Sequence, residues 1–253
     1  MSSPGTIRQL PRILLIDDDP ISREVVAMML EIHSFAVETA NGGDEALAVL
    51  DGQDIDRTEV ILMDMQMPGL SGVALIDALR ARSAARIFAI SGSDPGEEMR
   101  GVADGFLLKP VDMDGLVALL QPGDHAPTET GLALAAEFDS SQTAPVIDPA
   151  VLGKLGAMMS PTALREIYTA VAADLKTRLV TLQSAMTASD VLEVKRLGHS
   201  IKGGCSLVGL TAATEAAARL ETSNTTVTYT EELSQLRAAL AALDGILGDD
   251  FPA

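Results

Sequence analysis

Between Arg12 and Gln121 short apolar runs alternate with segments of helical period, and after Asp148 the strand-like runs all but stop. Such alternation is the pattern of a parallel sheet with crossover helices, so the first half of the chain is expected to be α/β. The expected strands are Ile13 to Ile16, a weak one at Phe35 to Glu38, Val60 to Met63, Arg86 to Ile90 and Gly105 to Leu108. Between them Ile21-Val25-Met28-Met29, Ala46-Val49-Leu50, Val73-Ile76-Leu79 and Leu116-Leu119-Leu120 each fall on one helical face.

Pro122-Gly123-Asp124 stops the last of these helices, and the stretch to Pro145 is rich in Ser, Thr, Pro and Ala, a linker composition with room for a short helical turn around Leu132 to Phe138. From Asp148 onward the only β-branched cluster is Thr225 to Tyr229. Helix starts are marked at Asp148-Pro149, Ser160-Pro161, Ser189-Asp190 and Thr230-Glu231-Glu232. Apolar residues recur at Leu164, Ile167, Val171, Leu175, Leu179 and Leu182, then at Val191, Val194, Leu197, Ile201 and Val208. Four or five helices with short connections imply an antiparallel bundle. The expected organisation is a tail at 1–11, an α/β domain at 12–121, a flexible acidic linker at 122–147 and a helical domain at 148–253.

A net charge of −18 and a pI near 4.4 argue against a nucleic-acid footprint, which needs clustered Lys and Arg. No basic tail hides in the average: 9 basic residues face 20 acidic ones before Gln121, and 9 face 16 from there on. The single cysteine, Cys205, cannot form an intramolecular disulfide. With neither a signal peptide nor an apolar stretch near the roughly 20 residues of a membrane span, the expectation is a cytoplasmic protein with no membrane partner.

The carboxyl ends of parallel strands line the edge where ligands bind. Four expected strands end there in polar groups: Asp17-Asp18 after the first, Asp64 after the third, Ser91 after the fourth and Lys109 after the fifth. Three converging carboxylates repel unless a cation sits among them, and hard oxygen ligands favour Mg²⁺. Asp19-Pro20 reads as the cap and first residue of a helix, which leaves Asp17 and Asp18 for the metal. A carboxylate can attack a phosphoryl group once metal and ammonium neutralise its oxygens, so Asp64 is the candidate nucleophile, Lys109 the ammonium and Ser91 a hydroxyl donor to phosphoryl oxygen.

Through Ile16-Asp17-Asp18-Asp19, Met63-Asp64-Met65-Gln66-Met67-Pro68-Gly69, Ala89-Ile90-Ser91-Gly92 and Leu108-Lys109-Pro110, residues 12–121 resemble the response-regulator receiver domain. The resemblance implies a flavodoxin-like fold with five parallel strands, phosphorylation on Asp64, and Mg²⁺ held by Asp17, Asp18, Asp64 and the backbone carbonyl of Gln66. It also implies a cis bond between Lys109 and Pro110 and a switch in which Ser91 draws toward the phosphoryl group while Phe106 changes rotamer. The segment from Gly92 to Asp104 departs from the family, being about one helical turn short and containing Pro and Gly. The fourth helix is therefore expected to be a stub, which puts the family's usual output surface in doubt.

In the second half His199, Lys202 and Gly203 share one helical face, off the buried stripe of Leu197, Ile201 and Val208 and toward solvent. Two adjacent glycines, Gly203-Gly204, each cost about 1 kcal/mol relative to Ala inside a helix, which suggests backbone kept clear for a partner. Lys202 offers a cation beside a nucleophilic imidazole. With His199-Ser200-Ile201-Lys202-Gly203 and the following Val208-Gly209-Leu210, residues 148–250 resemble the histidine-phosphotransfer (HPt) domain. That implies a four-helix bundle presenting His199 on an exposed helix and passing phosphoryl between receiver aspartates. Cys205 reads as a small buried apolar group, and neither His33 nor His125 joins a constellation.

The two resemblances together imply a two-component phosphorelay protein. Nothing in the sequence resembles the ATP-binding region of a histidine kinase, so the implied partners are an upstream (hybrid) histidine kinase and a downstream response-regulator receiver. An alternative is a receiver-gated binding module, in which phosphorylation of Asp64 controls docking of the bundle to a partner.

Overall fold

The computed structural model describes residues 10–52, 58–91, 101–109, 111, 113–120, 145–222, 229–249 and 251. The chain divides into two units, Met1–Gly131 and Leu132–Ala253. The first runs β1 (Arg12–Ile16), α1 (Pro20–Ile32), β2 (Ala36–Ala40), α2 (Gly43–Gly52), β3 (Val60–Asp64), α3 (Gly72–Arg80), β4 (Arg86–Ser91), β5 (Gly105–Leu108) and α4 (Met113–Leu120). All pairings are parallel, in the order β2-β1-β3-β4-β5, so the expected five-stranded sheet is present. β3 is buried along its whole length and β1 everywhere but Arg12, because strands covered on both faces have no solvent side. One face packs Leu14, Ile16, Ile61 and Met63 against Leu75, Ile76 and Leu79 of α3.

Two details differ from expectation. β2 starts at Ala36 because Phe35 belongs to the exit from α1: Ser34 takes a left-handed φ of 69°, its N–H donates to the Glu31 carbonyl and the Phe35 N–H donates to the Leu30 carbonyl. Those paired bonds form a Schellman end. On α3, Val73 is exposed and Leu75 takes its place in the core. Of the shortened segment only residues 101–104 are described, as turn and bridge rather than helix. The expected stub, Pro110 and its peptide bond, His125, the turn around Leu132 to Phe138 and most of the expected tail and linker lie outside the described residues.

The second unit is helical: α5 (Pro149–Met158), α6 (Pro161–Thr187), α7 (Val191–Leu207), α8 (Thr211–Thr222) and α9 (Thr230–Asp249). Asp148, Ser160 and Asp190 cap their helices by accepting from the N–H of Ala150, Ala163 and Glu193. α6 packs on α7, α7 on α8, α8 on α9 and α9 on α6, which closes a four-helix bundle with α5 set against α6. The six apolar residues expected on α6 are all buried. α7 ends at Gly209, with φ of 74°, where the Gly209 and Leu210 N–H groups donate to the carbonyls of Ser206 and Cys205. The Tyr168 hydroxyl donates to the Val208 carbonyl at 2.8 Å, tying that end to α6. Among the described residues no helix is long and apolar enough to cross a membrane.

Candidate functional site

In the first unit the ends of β1, β3 and β5 bring four charged groups together. Asp17, Asp18 and Asp64 each offer a carboxylate oxygen within 4.8 Å of the others. The Lys109 Nζ lies 2.6 Å from Asp64 Oδ2 and 3.7 Å from Asp17 Oδ2. Parallel register explains the convergence: Ile16 stands beside Met63 and Asp64 beside Ile90, so the residues that follow each strand emerge on the same edge. Ser91 ends β4 on that edge and is buried, and its carbonyl accepts from the Lys109 N–H at 2.8 Å. Phe106, on β5, lies half-buried against the core of the sheet.

Local bonds hold the carboxylates. The Gln66 N–H donates to Asp64 Oδ1 at 2.9 Å, a turn that keeps residue 66 beside the carboxylate. Asp17 Oδ1 accepts from the Asp19 N–H and Asp17 Oδ2 from the Ser22 hydroxyl at 2.6 Å. Asp19 itself caps α1 through the Ser22 N–H, as the Asp-Pro pair predicts.

Burial pushes the Asp17 carboxyl up to about 6, against the pull of Lys109 and with the push of Asp64. Burial and then Asp64 also raise Asp18. On Lys109, burial works against the charge, but Asp17 and Asp64 outweigh it and hold the ammonium above its usual value. A cluster of three carboxylates in which two resist ionisation, with oxygen donors only, suits a hard divalent cation.

The second cluster lies between α7 and α8. His199 Nδ1 is 2.8 Å from Glu221 Oε1 and Lys202 Nζ is 2.6 Å from Glu221 Oε2, so one carboxylate holds both groups. His199 is less open than its position on the helix implies, with a side chain only 17% exposed, because Glu221 draws it against α8. Gly203 and Gly204 are buried, so their helical face is turned into the bundle rather than left clear at the surface. Cys205 is buried, as expected.

Burial raises the Glu221 carboxyl, but the hydrogen bonds from Lys202 and His199 together prevail and hold it below its usual range. Sequence reasoning missed Glu221, since nothing local marks an acid near the end of an alanine-rich helix. It also missed Gly198, whose place in the helix is explained by close contact with α8, and the hydroxyl bond from Ser22 to Asp17. Only the Ser22 capping N–H, three residues after Asp19, was legible.

Residues 13–121 match the family model of the response regulator receiver domain, and residues 166–246 match that of the Hpt domain. The chain is 32% identical over 140 residues to the transcriptional regulatory protein AruR of Pseudomonas aeruginosa, covering 50% of this chain and 56% of that protein. It is 27% identical over 218 residues to the sensor histidine kinase AruS of the same organism, covering 83% of this chain and 20% of that protein. The chain thus spans little more than half the length of the first relative and a fifth of the second. Among solved structures it is similar to a response regulator receiver protein from Pseudomonas putida, at 33% identity over 45% of this chain and 97% of that one, with a TM-score of 0.41.

Proposed function

We propose that the chain, with its match to the response regulator receiver domain over residues 13–121 and to the Hpt domain over residues 166–246, is a two-component phosphorelay signalling protein in which Asp64 accepts phosphoryl from a partner histidine kinase while His199 relays phosphoryl between receiver aspartates. The proposed organisation is a tail at 1–11, a receiver at 12–121, a linker at 122–147 and a phosphotransfer domain at 148–253, acting in the cytoplasm without nucleic acid.

The observation that carries the reading is Asp64 itself: 2% exposed, set among two further carboxylates and bonded to Lys109 at 2.6 Å. One of its oxygens faces an amide N–H and the other an ammonium, which fixes the carboxylate for in-line attack. As the bond from Asp64 oxygen to phosphorus forms, the nitrogen–phosphorus bond of the donor histidine breaks and its electron pair returns to that imidazole. Asp17, Asp18, Asp64 and the backbone carbonyl of Gln66 would hold Mg²⁺, which supplies positive charge to the transferring phosphoryl oxygens. Lys109 adds its ammonium on one side, and Ser91 donates its hydroxyl to a phosphoryl oxygen while Phe106 changes rotamer. His199 then takes phosphoryl from Asp64 or from a second receiver, with Lys202 as the nearby cation. Similarity to a sensor histidine kinase over 83% of the chain supports a kinase-fed relay that includes both units.

Acyl phosphate survives acid and phosphohistidine survives base, so radiolabel from a phosphorylated kinase separates the two sites chemically. Wild type is expected to carry both kinds of label, Asp64→Asn to lose the acid-stable kind and with it the base-stable label that reaches His199 through Asp64, and His199→Gln to lose the base-stable kind alone. Persistence of either label in the variant that removes its acceptor overturns the assignment of that residue. If His199→Gln leaves downstream signalling intact, the chain is a receiver-gated binding module instead.

A further inference from the structure

Asp17 is built into the start of α1. In a capping box the side chain at the third helical position, here Ser22, reaches back as an acceptor to the backbone N–H of the cap residue, here Asp19. In this chain Asp17 takes that part: its Oδ1 accepts from the Asp19 N–H at 2.9 Å. Ser22 donates instead, its N–H to Asp19 Oδ1 at 2.9 Å and its hydroxyl to Asp17 Oδ2 at 2.6 Å. Both oxygens of the Asp17 carboxylate are therefore held by residues that are themselves joined across the cap. A carboxylate has about four acceptor sites, so these two bonds leave room for an ion.

The hydroxyl bond is unusual in direction and costly to lose. A serine inside a helix commonly turns its hydroxyl back to the carbonyl four residues earlier, whereas the Ser22 hydroxyl goes to a carboxylate five residues earlier. Asp17 and Ser22 are each 2% exposed, and a buried acceptor that loses its donor is not readily resatisfied. Asp17 Oδ2 also lies 3.7 Å from Lys109 Nζ, the ammonium that Asp64 holds at 2.6 Å. Without the Ser22 donor that ammonium attracts the oxygen unopposed, and the carboxylate is free to turn toward it.

We propose that Ser22 is a positioning residue of the cation pocket and sets its preference for Mg²⁺ over Ca²⁺: by holding Asp17 Oδ2 it keeps that carboxylate in a single orientation before the ion arrives. Mg²⁺ demands near-ideal octahedral geometry at about 2.0–2.1 Å, whereas Ca²⁺ accepts oxygens at about 2.3–2.6 Å in flexible arrangements. A fixed carboxylate therefore favours the smaller ion, and one that can rotate favours it less. The inference rests on the reading of Asp17, Asp18 and Asp64 as ligands of a divalent cation.

The test is calorimetric titration of the unphosphorylated full chain with Mg²⁺ and, separately, with Ca²⁺. Binding is read directly, so no phosphoryl transfer enters the result. Wild type is expected to bind Mg²⁺ more tightly than Ca²⁺. Ser22→Ala should weaken Mg²⁺ binding by roughly 10–100-fold, the range seen when a residue that orients a metal ligand is lost. Ca²⁺ binding should weaken by a smaller factor, so the ratio of the two affinities falls. Ser22→Thr keeps the hydroxyl and is expected to keep the wild-type ratio.

An unchanged Mg²⁺ affinity in folded Ser22→Ala overturns the proposal. An equal loss for both ions does the same, because a pocket that has merely loosened discriminates no differently. Should Ser22→Ala not fold, Ser22→Cys, whose thiol is a weak donor, carries the comparison, and a wild-type ratio of affinities there overturns the proposal. A wild type that takes up neither ion defeats the reading of the pocket as a cation site, a failure visible before any variant is compared, and the role of Ser22 falls with it.

Discussion

Asp64 and Asp17 lie in one pocket but serve it differently: Lys109 and the Gln66 N–H neutralise and orient Asp64, whereas Asp17 is buried deeply enough to resist ionisation. A carboxyl whose folded value rises from 3.8 to about 6 binds more protons in the folded state, so its contribution to stability is complete below the ordinary value and lost as pH rises through about 6. For a buried group that loss is on the order of 3 kcal/mol. Without divalent cation, wild type is expected to lose stability relative to Asp17→Asn between about pH 4 and 6, read as urea midpoints, and Mg²⁺ should recover it only above that range. Parallel pH curves for the two proteins, with or without Mg²⁺, contradict this account of Asp17. The pocket was legible in the sequence because each member follows a strand, and parallel strands deliver their ends to one edge. Glu221 was not legible, because its meeting with His199 depends on how closely two helices pack.

Among the elements, helix starts were readable and helix ends less so. Asp19, Asp148, Ser160 and Asp190 are polar caps with a local chemical reason. The ends of α1 and α6 use serine where glycine is usual: Ser34 at φ of 69° and Ser189 at φ of 57°. In each case the N–H groups at and after the serine close the Schellman pair, Ser189 to Met186 and Asp190 to Ala185 in the second. A left-handed residue with a Cβ is strained by roughly 1–2 kcal/mol, partly offset because serine has less unfolded freedom than glycine. Ser34→Gly and Ser189→Gly should each gain about 0.5–1 kcal/mol, seen as a higher urea midpoint at unchanged slope. A lower midpoint in both means that the serine side chains do more than fill a turn. The start of β2 was misread for a related reason: Phe35 is apolar and strand-like, but its N–H is already committed to the end of α1.

At the scale of the whole molecule, the division into an α/β unit and a helical unit was visible as a change in hydrophobic period, from short runs to recurrences along one helical face. What the period could not convey is how α8 closes on α7 at Gly198, or that the two glycines after Lys202 face inward. The fold provides two settings of opposite design for the proposed phosphoryl acceptors: a carboxylate among like charges that a cation and Lys109 would tame, and an imidazole hydrogen-bonded to a single carboxylate. In the most direct form of the proposed relay, phosphoryl passes from Asp64 to His199. The most direct measurement supplies phosphorylated kinase as the only donor and follows base-stable label on His199 in wild type and Asp64→Asn. His199 of the variant is expected to remain unlabelled while wild type acquires label after Asp64. Labelling of His199 at the full wild-type rate in Asp64→Asn contradicts it.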